Sequence, residues 1–190
     1  TVVDLLREKH GTGNRWAVPA KARFVQGNSG DRSLLDSLLP NGERFDAVFH
    51  FAALILVDES VREPARYFAN NVNGAERLFA YAVQTGVPAI VFSSTAATYG
   101  ESKTELLRES DEQLPVNPYG QSKLMAEKIL IDLCRAHPSS RFVGLRYFNP
   151  AGAHTSLEIG QARPFATALI NVAAEAAVGK RPGMMIYGDD

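Results

Sequence analysis

The sequence predicts an α/β protein built on a doubly wound parallel sheet, and three observations predict it. Strand and helix candidates alternate along the chain without hairpin signals between strands, so successive strands run parallel through helical crossovers. Two strand candidates, residues 46–53 and 87–94, are nearly continuous apolar runs, as strands covered on both faces require. Small and polar clusters (His50-Phe-Ala-Ala, Ser93-Ser-Thr, Tyr147-Phe-Asn and the loop before Tyr119) fall at carboxyl ends of strands, where ligands gather in such sheets.

Taken in order, residues 1–9 (TVVDLLREK) read as the body of a helix, with no cap and no strand ahead of it. Residues 11–22 are polar and irregular. Residues 23–26 form a short strand that stops at Gly27-Asn28-Ser29-Gly30. Asp31 can cap a helix over 32–39. The apolar strand 46–53 is followed by a long helical stretch over 64–86 and by the strand 87–94. A loop runs to Asn117. Pro118 suits a first helical turn, which needs no N–H. The helix it opens reaches about Ala136, with Leu124, Met125, Ile129, Leu130 and Leu133 along one apolar face. Residues 141–148 are the next strand, 149–163 a loop, 165–179 an Ala-rich helix, and 184–188 begin a strand. A composition shift near Pro150 divides the chain into a sheet domain, 1–150, and the beginning of a smaller substrate region, 151–190.

Composition narrows the function classes. The chain has 190 residues, 45% hydrophobic and 22% charged, with a net charge of -1, ordinary globular material able to bury a core. There is no basic surplus for nucleic acid, and no apolar run approaches a membrane span. The single Cys134 fits a reducing compartment such as the cytoplasm. The four histidines, at 10, 50, 137 and 154, are scattered and suggest no metal site.

The residues best suited to chemistry are Tyr119 and Lys123. Four apart, they stack on one side of a helix. A phenol titrates near ~10, so half-ionising it at pH 7 requires about 4 kcal/mol. An ammonium about 5 Å away supplies roughly 3 kcal/mol at an effective dielectric near 20. Lys123 is therefore expected to make Tyr119 a usable proton acceptor, with a cationic cofactor supplying the rest.

These stretches, together with Tyr67-Phe-Ala-Asn-Asn-Val-Asn-Gly, Phe92-Ser-Ser-Thr-Ala-Ala-Thr-Tyr-Gly and Leu145-Arg-Tyr-Phe-Asn-Pro-Ala-Gly, resemble the extended short-chain dehydrogenase/reductase family. Within it they resemble the branch that epimerises UDP-sugars at C4. The resemblance implies a Rossmann-like fold, NAD as resident cofactor, a UDP-sugar substrate and a homodimer. It implies catalytic roles for Tyr119, Lys123 and Thr95, the last standing where the family usually has Ser. It implies cofactor contacts from Asn28, Phe51, Ala52, Ala53, Asn70, Ser93, Tyr119, Lys123 and Phe148. Substrate contacts are implied for Thr95, Tyr119 and Asn149. Sugar-nucleotide dehydratases of the family carry an Asp-Glu pair just after this Thr. Ala96 and Ala97 stand there, and two methyl groups cannot eliminate water. Ser94, Asn71 and Asn73 are read as structural, and Glu59 and Arg62 as solvated surface charges.

The chain also departs from the family pattern. The opening strand and its glycine turn, which presents a helix N-terminus to the pyrophosphate, are not found, so the sequence reads as a fragment. The second strand with its ribose-binding Asp is expected to be missing too. Asn28 stands for an Asp, and Ile55 for a Lys near the phosphates. Two other readings stay open beside the epimerase: an NAD-dependent oxidoreductase or epimerase of another sugar nucleotide, and a non-catalytic protein on a decayed scaffold.

Overall fold

The computed structural model describes residues 1–4, 14–39, 43–102, 106–161 and 167–186. The chain divides into two compact units, Thr1–Gln26 with Asn149–Asp190, and Gly27–Phe148.

In the first unit, β1 (Val2–Asp4) pairs in parallel with β2 (Phe24–Gln26), Val3 opposite Val25. This corrects the sequence reading on two points. Residues 2–4 are strand, not helix, and a strand ending in an aspartate does stand ahead of residue 23. Three residues are too few to show a strand period. The β-branched Val2-Val3 pair and a pairing partner outweigh the helix-like Leu5-Leu6 spacing. The rest of the expected helix lies outside the described residues.

The second unit is built on a parallel sheet of β3 (Ala47–His50), β4 (Ala89–Thr95) and β5 (Arg141–Tyr147), in that order. Between β2 and β3 lies α1 (Arg32–Leu38), whose first amides, on Ser33 and Leu34, are bound by Asp31 as expected. After β3 comes α2 (Val57–Arg62), which the sequence reading missed. The long helix then runs in three parts. These are α3 (Pro64–Tyr67), a π-helical segment Phe68–Asn73, and α4 (Gly74–Gln84). After β4, a 3-10 turn over Ala96–Thr98 leads through a loop to α5 (Pro118–Ala136), where Asn117 accepts the Gly120 N–H.

Alternation along the strands sorts the side chains. His50, Ile90 and Phe92 point to one face and are buried. There the His50, Phe79 and Phe92 rings pack mutually 5.4–5.8 Å apart, bringing α4 onto the sheet. Leu78, Phe79, Ala82 and Val83 of α4, and Leu124, Ala126 and Leu130 of α5, complete this core. Each large side chain so buried contributes roughly 1.5–3 kcal/mol. The opposite face aligns Phe49, Val91 and Val143 in register. Phe49 is 64% and Val143 55% exposed.

Back in the first unit, α6 (Leu169–Ala177) is the expected Ala-rich helix, shorter than the 165–179 expected: 165 and 166 lie outside the described residues, and 167–168 and 178–179 are not helical. Met184 to Ile186 are exposed and not in a strand. A strand requires a neighbour to take its hydrogen bonds, and apolar composition alone does not supply one. Tyr187 to Asp190 lie outside the described residues.

Candidate active site

Side chains converge where β4 ends beneath the start of α5. Thr95 is the last residue of β4 and is buried. Its Oγ accepts the Ala97 N–H at 3.2 Å, which leaves its hydroxyl proton free to donate elsewhere. The Thr95 hydroxyl is close enough to the Tyr119 phenol to favour its ionised form. The start of α5 reaches this position because Gly120 lies against the 3-10 turn. A Cβ there would stand 2.5 Å from the Ala97 carbonyl oxygen.

One turn further along α5, Lys123 is 2% exposed. Its Nζ donates to the Ser93 carbonyl at 2.8 Å and lies 4.9 Å from the Phe92 ring centroid. Burial pushes its pKa from 10.5 down to about 8. Here the sequence argument is corrected. Burial raises the Tyr119 phenol above its ordinary value, and only the Thr95 hydroxyl works against that. The lowering of Tyr119 expected from Lys123 does not outweigh that burial, although the Lys123 charge does act on the nearby His50.

The segment after β3 is fastened from two sides. Leu54 N–H donates to Asn71 Oδ1 at 2.9 Å and Asn71 Nδ2 returns a bond to Leu54 O at 2.9 Å. The same Nδ2 reaches Ser122 Oγ at 3.1 Å, and Ser122 donates to the Tyr119 carbonyl at 2.7 Å. Asn71 thus ties this segment to the first turn of α5. It sits in the π-helical segment, where the extra residue in the turn re-aims side chains. Two residues on, Leu56 N–H donates to Tyr67 Oη at 2.9 Å, and that hydroxyl donates to Glu59 at 2.8 Å. Glu59 also holds Arg66 at 2.7 Å, so it is a structural partner rather than the solvated charge expected; Arg62 is exposed.

The remaining expected residues are spread out. Phe51 and Ala52 are exposed and Ala53 is half-buried, in the backbone between β3 and α2. Asn70 donates to Asn71 Oδ1 at 2.9 Å. Asn28 closes its own turn by accepting the Gly30 N–H at 2.9 Å. Ser93 serves through its carbonyl. Phe148 is exposed just after β5, and Asn149 is exposed in the other unit. Asp4 ends β1, at residues the sequence reading assigned to a helix.

Residues 3–189 match the NAD dependent epimerase/dehydratase family. The chain belongs to that family. This family member is 46% identical, over 94% of its length, to the UDP-glucose 4-epimerase of Azospirillum brasilense. The crystal structure of UDP-glucose 4-epimerase from Brucella ovis in complex with NAD superposes over all of it, with a TM-score of 0.89 and 39% identity. The Bifidobacterium longum enzyme in complex with NAD+ and UDP covers 94% of it, with a TM-score of 0.81 and 35% identity. The chain spans about half the length of these relatives (51%, 56% and 53% of them in turn). The likeness carries the Rossmann-like fold of parallel strands and helices read from the sequence. No described helix is long and apolar enough to cross a membrane, and no described group of three or more His, Cys, Asp or Glu could hold a metal.

Proposed function

We propose that the protein acts as a UDP-glucose 4-epimerase, interconverting UDP-galactose and UDP-glucose through a 4-keto sugar, with NAD as resident cofactor. The observation that carries this reading is the Thr95 hydroxyl set against the Tyr119 phenol, with Lys123 one turn on. A proton can pass from the sugar 4-hydroxyl to Tyr119, with Thr95 bridging the two oxygens. Ala96 and Ala97, just after Thr95, offer no acid or base, so water is not eliminated.

The donor set fits one end of a dinucleotide. Lys123 and the backbone from Phe51 to Ala53 suit the nicotinamide and its ribose, with Asn70, Ser93 and Phe148 as further contacts. Asn28 suits the adenosine half, as the resemblance implies. The amides that open α1 are already bound by Asp31. When bound, NAD supplies a reversible hydride acceptor for the sugar C4.

Assay of the protein expressed from its complete reading frame, with UDP-galactose and NAD, tests the reading. UDP-glucose is the expected product. Tyr119→Phe should lower kcat by about 10²-fold or more; full turnover in that variant would overturn the assignment.

A further inference from the structure

Three consecutive residues at the end of β4 face three residues of α5 that form a single stripe, and two of them, Ser93 and Ser94, are hydrogen-bonded to it. Thr95 meets Tyr119, the Ser93 carbonyl accepts from Lys123, and the Ser94 hydroxyl donates to Glu127. The spacing 119, 123, 127 puts all three on one side of the helix.

Glu127 is the least expected of them. It is 4% exposed and lies on the core side of the helix. Beside Ser94, it accepts Gln113 Nε2 at 3.2 Å and both Nε and Nη2 of Arg146, the latter at 2.8 Å. Burial works to raise its carboxyl, but these hydrogen bonds outweigh burial and hold it below the ordinary carboxylate range. Arg146 stands opposite Ser94 in the β4–β5 register. Its Nη1 donates to Tyr99 Oη at 2.7 Å and to the Glu109 carbonyl at 3.2 Å. The pair therefore joins both strands, α5, and three points (Tyr99, Glu109, Gln113) of the loop that delivers Tyr119.

We propose that Glu127 and Arg146 are positioning residues, which fix the register of α5 against β4 and so the meeting of Thr95 with Tyr119. This rests on the epimerase reading for its effect on catalysis, but not for its effect on geometry. A buried ion pair adds little net stability over apolar residues of like volume. Its distinctive contribution here is directional, because every hydrogen bond of the pair ends on an element that borders the site. A displacement of about 1 Å at a reacting group can lower a rate about 10²-fold.

The test is the double variant Glu127→Leu/Arg146→Met, with Glu127→Gln as a milder companion. Lys123 is the reporter, through its 13Cε resonance, assigned by its loss in Lys123→Met. In the unaltered protein it should titrate near pH 8. In the double variant the midpoint should rise by about one pH unit or more as the amine loosens toward water. In Glu127→Gln it should rise less. kcat should fall about 10-fold or more, with KM changed less than about threefold. If the double variant does not fold, Glu127→Gln decides, by the same midpoint and the same kcat-against-KM split. An unmoved midpoint with unchanged kcat in a folded variant overturns the proposal. A moved midpoint in a protein that never epimerises UDP-galactose upholds the positioning and overturns the function.

Discussion

Lys123 holds its ammonium 4.9 Å from the centre of the Phe92 ring, on a side chain almost sealed from water. This buried lysine is thus a burden on the fold. Burial lowers its pKa from 10.5 to about 8, so between these values the unfolded chain keeps a proton that the folded chain has released. Stability should rise with pH across that window and carry the whole penalty below it, on the order of 3 kcal/mol. Lys123→Met should therefore gain up to about 3 kcal/mol in urea denaturation at pH 7 and lose the rise between pH 8 and 10.5. The same variant should be inactive.

His50 should give the opposite edge of the stability profile. Burial first, and then the nearby Lys123 charge, lower its pKa from 6.5 to about 4. The folded chain keeps the ring neutral while the unfolded chain protonates it. The stabilisation is complete above pH 6.5 and is lost as pH falls toward 4, on the order of 3 kcal/mol. His50→Phe, which can occupy the same stack with Phe79 and Phe92, should flatten that part of the curve. Denaturation midpoints at pH 7 and pH 4.5 are the measurement.

Asn71→Ala should lower stability by about 2–4 kcal/mol, because the Leu54 N–H and C=O both lose their partner. The segment from Phe51 to Leu56 should then exchange its amide hydrogens faster than β4 does. Hydrogen exchange reads this directly.

Gly120→Ala should separate α5 from β4. The added methyl would stand 2.5 Å from the Ala97 carbonyl, a backbone atom that cannot rotate away. Expected are a loss of about 1–3 kcal/mol and, in the active protein, a fall in kcat exceeding the change in KM. Gly100→Ala should be worse, since Gly100 has φ +69° and a Cβ there would meet the Leu114 carbonyl at 1.9 Å. Thermal melting of both variants orders them.

What was legible beforehand followed from local chemistry. The buried runs of β3 and β4, the Asp31 cap and the start of α5 at Pro118 are short-range patterns. β1 was lost because three residues carry no period. α2 was lost although Asp58 and Glu59 in its first turn and Arg62 in its last are the charges a helix dipole favours. The π-helical segment has no composition of its own. The Tyr119–Lys123 pairing was visible, but the Ser93 carbonyl that claims the lysine lies thirty residues away. Glu127 was within reach, since it extends the 119–123 interval by one more turn.

That interval limits what substitution and drift can do to this part of the chain. One inserted residue rotates everything beyond it by about 100° around the helix axis. An insertion between Tyr119 and Glu127 would keep the phenol in place and carry the carboxylate off the sheet, stranding Arg146. Lengthening the stretch between Glu101 and Val116 leaves the interval untouched. Natural length variation in this protein should therefore collect ahead of α5 and stop abruptly at Asn117.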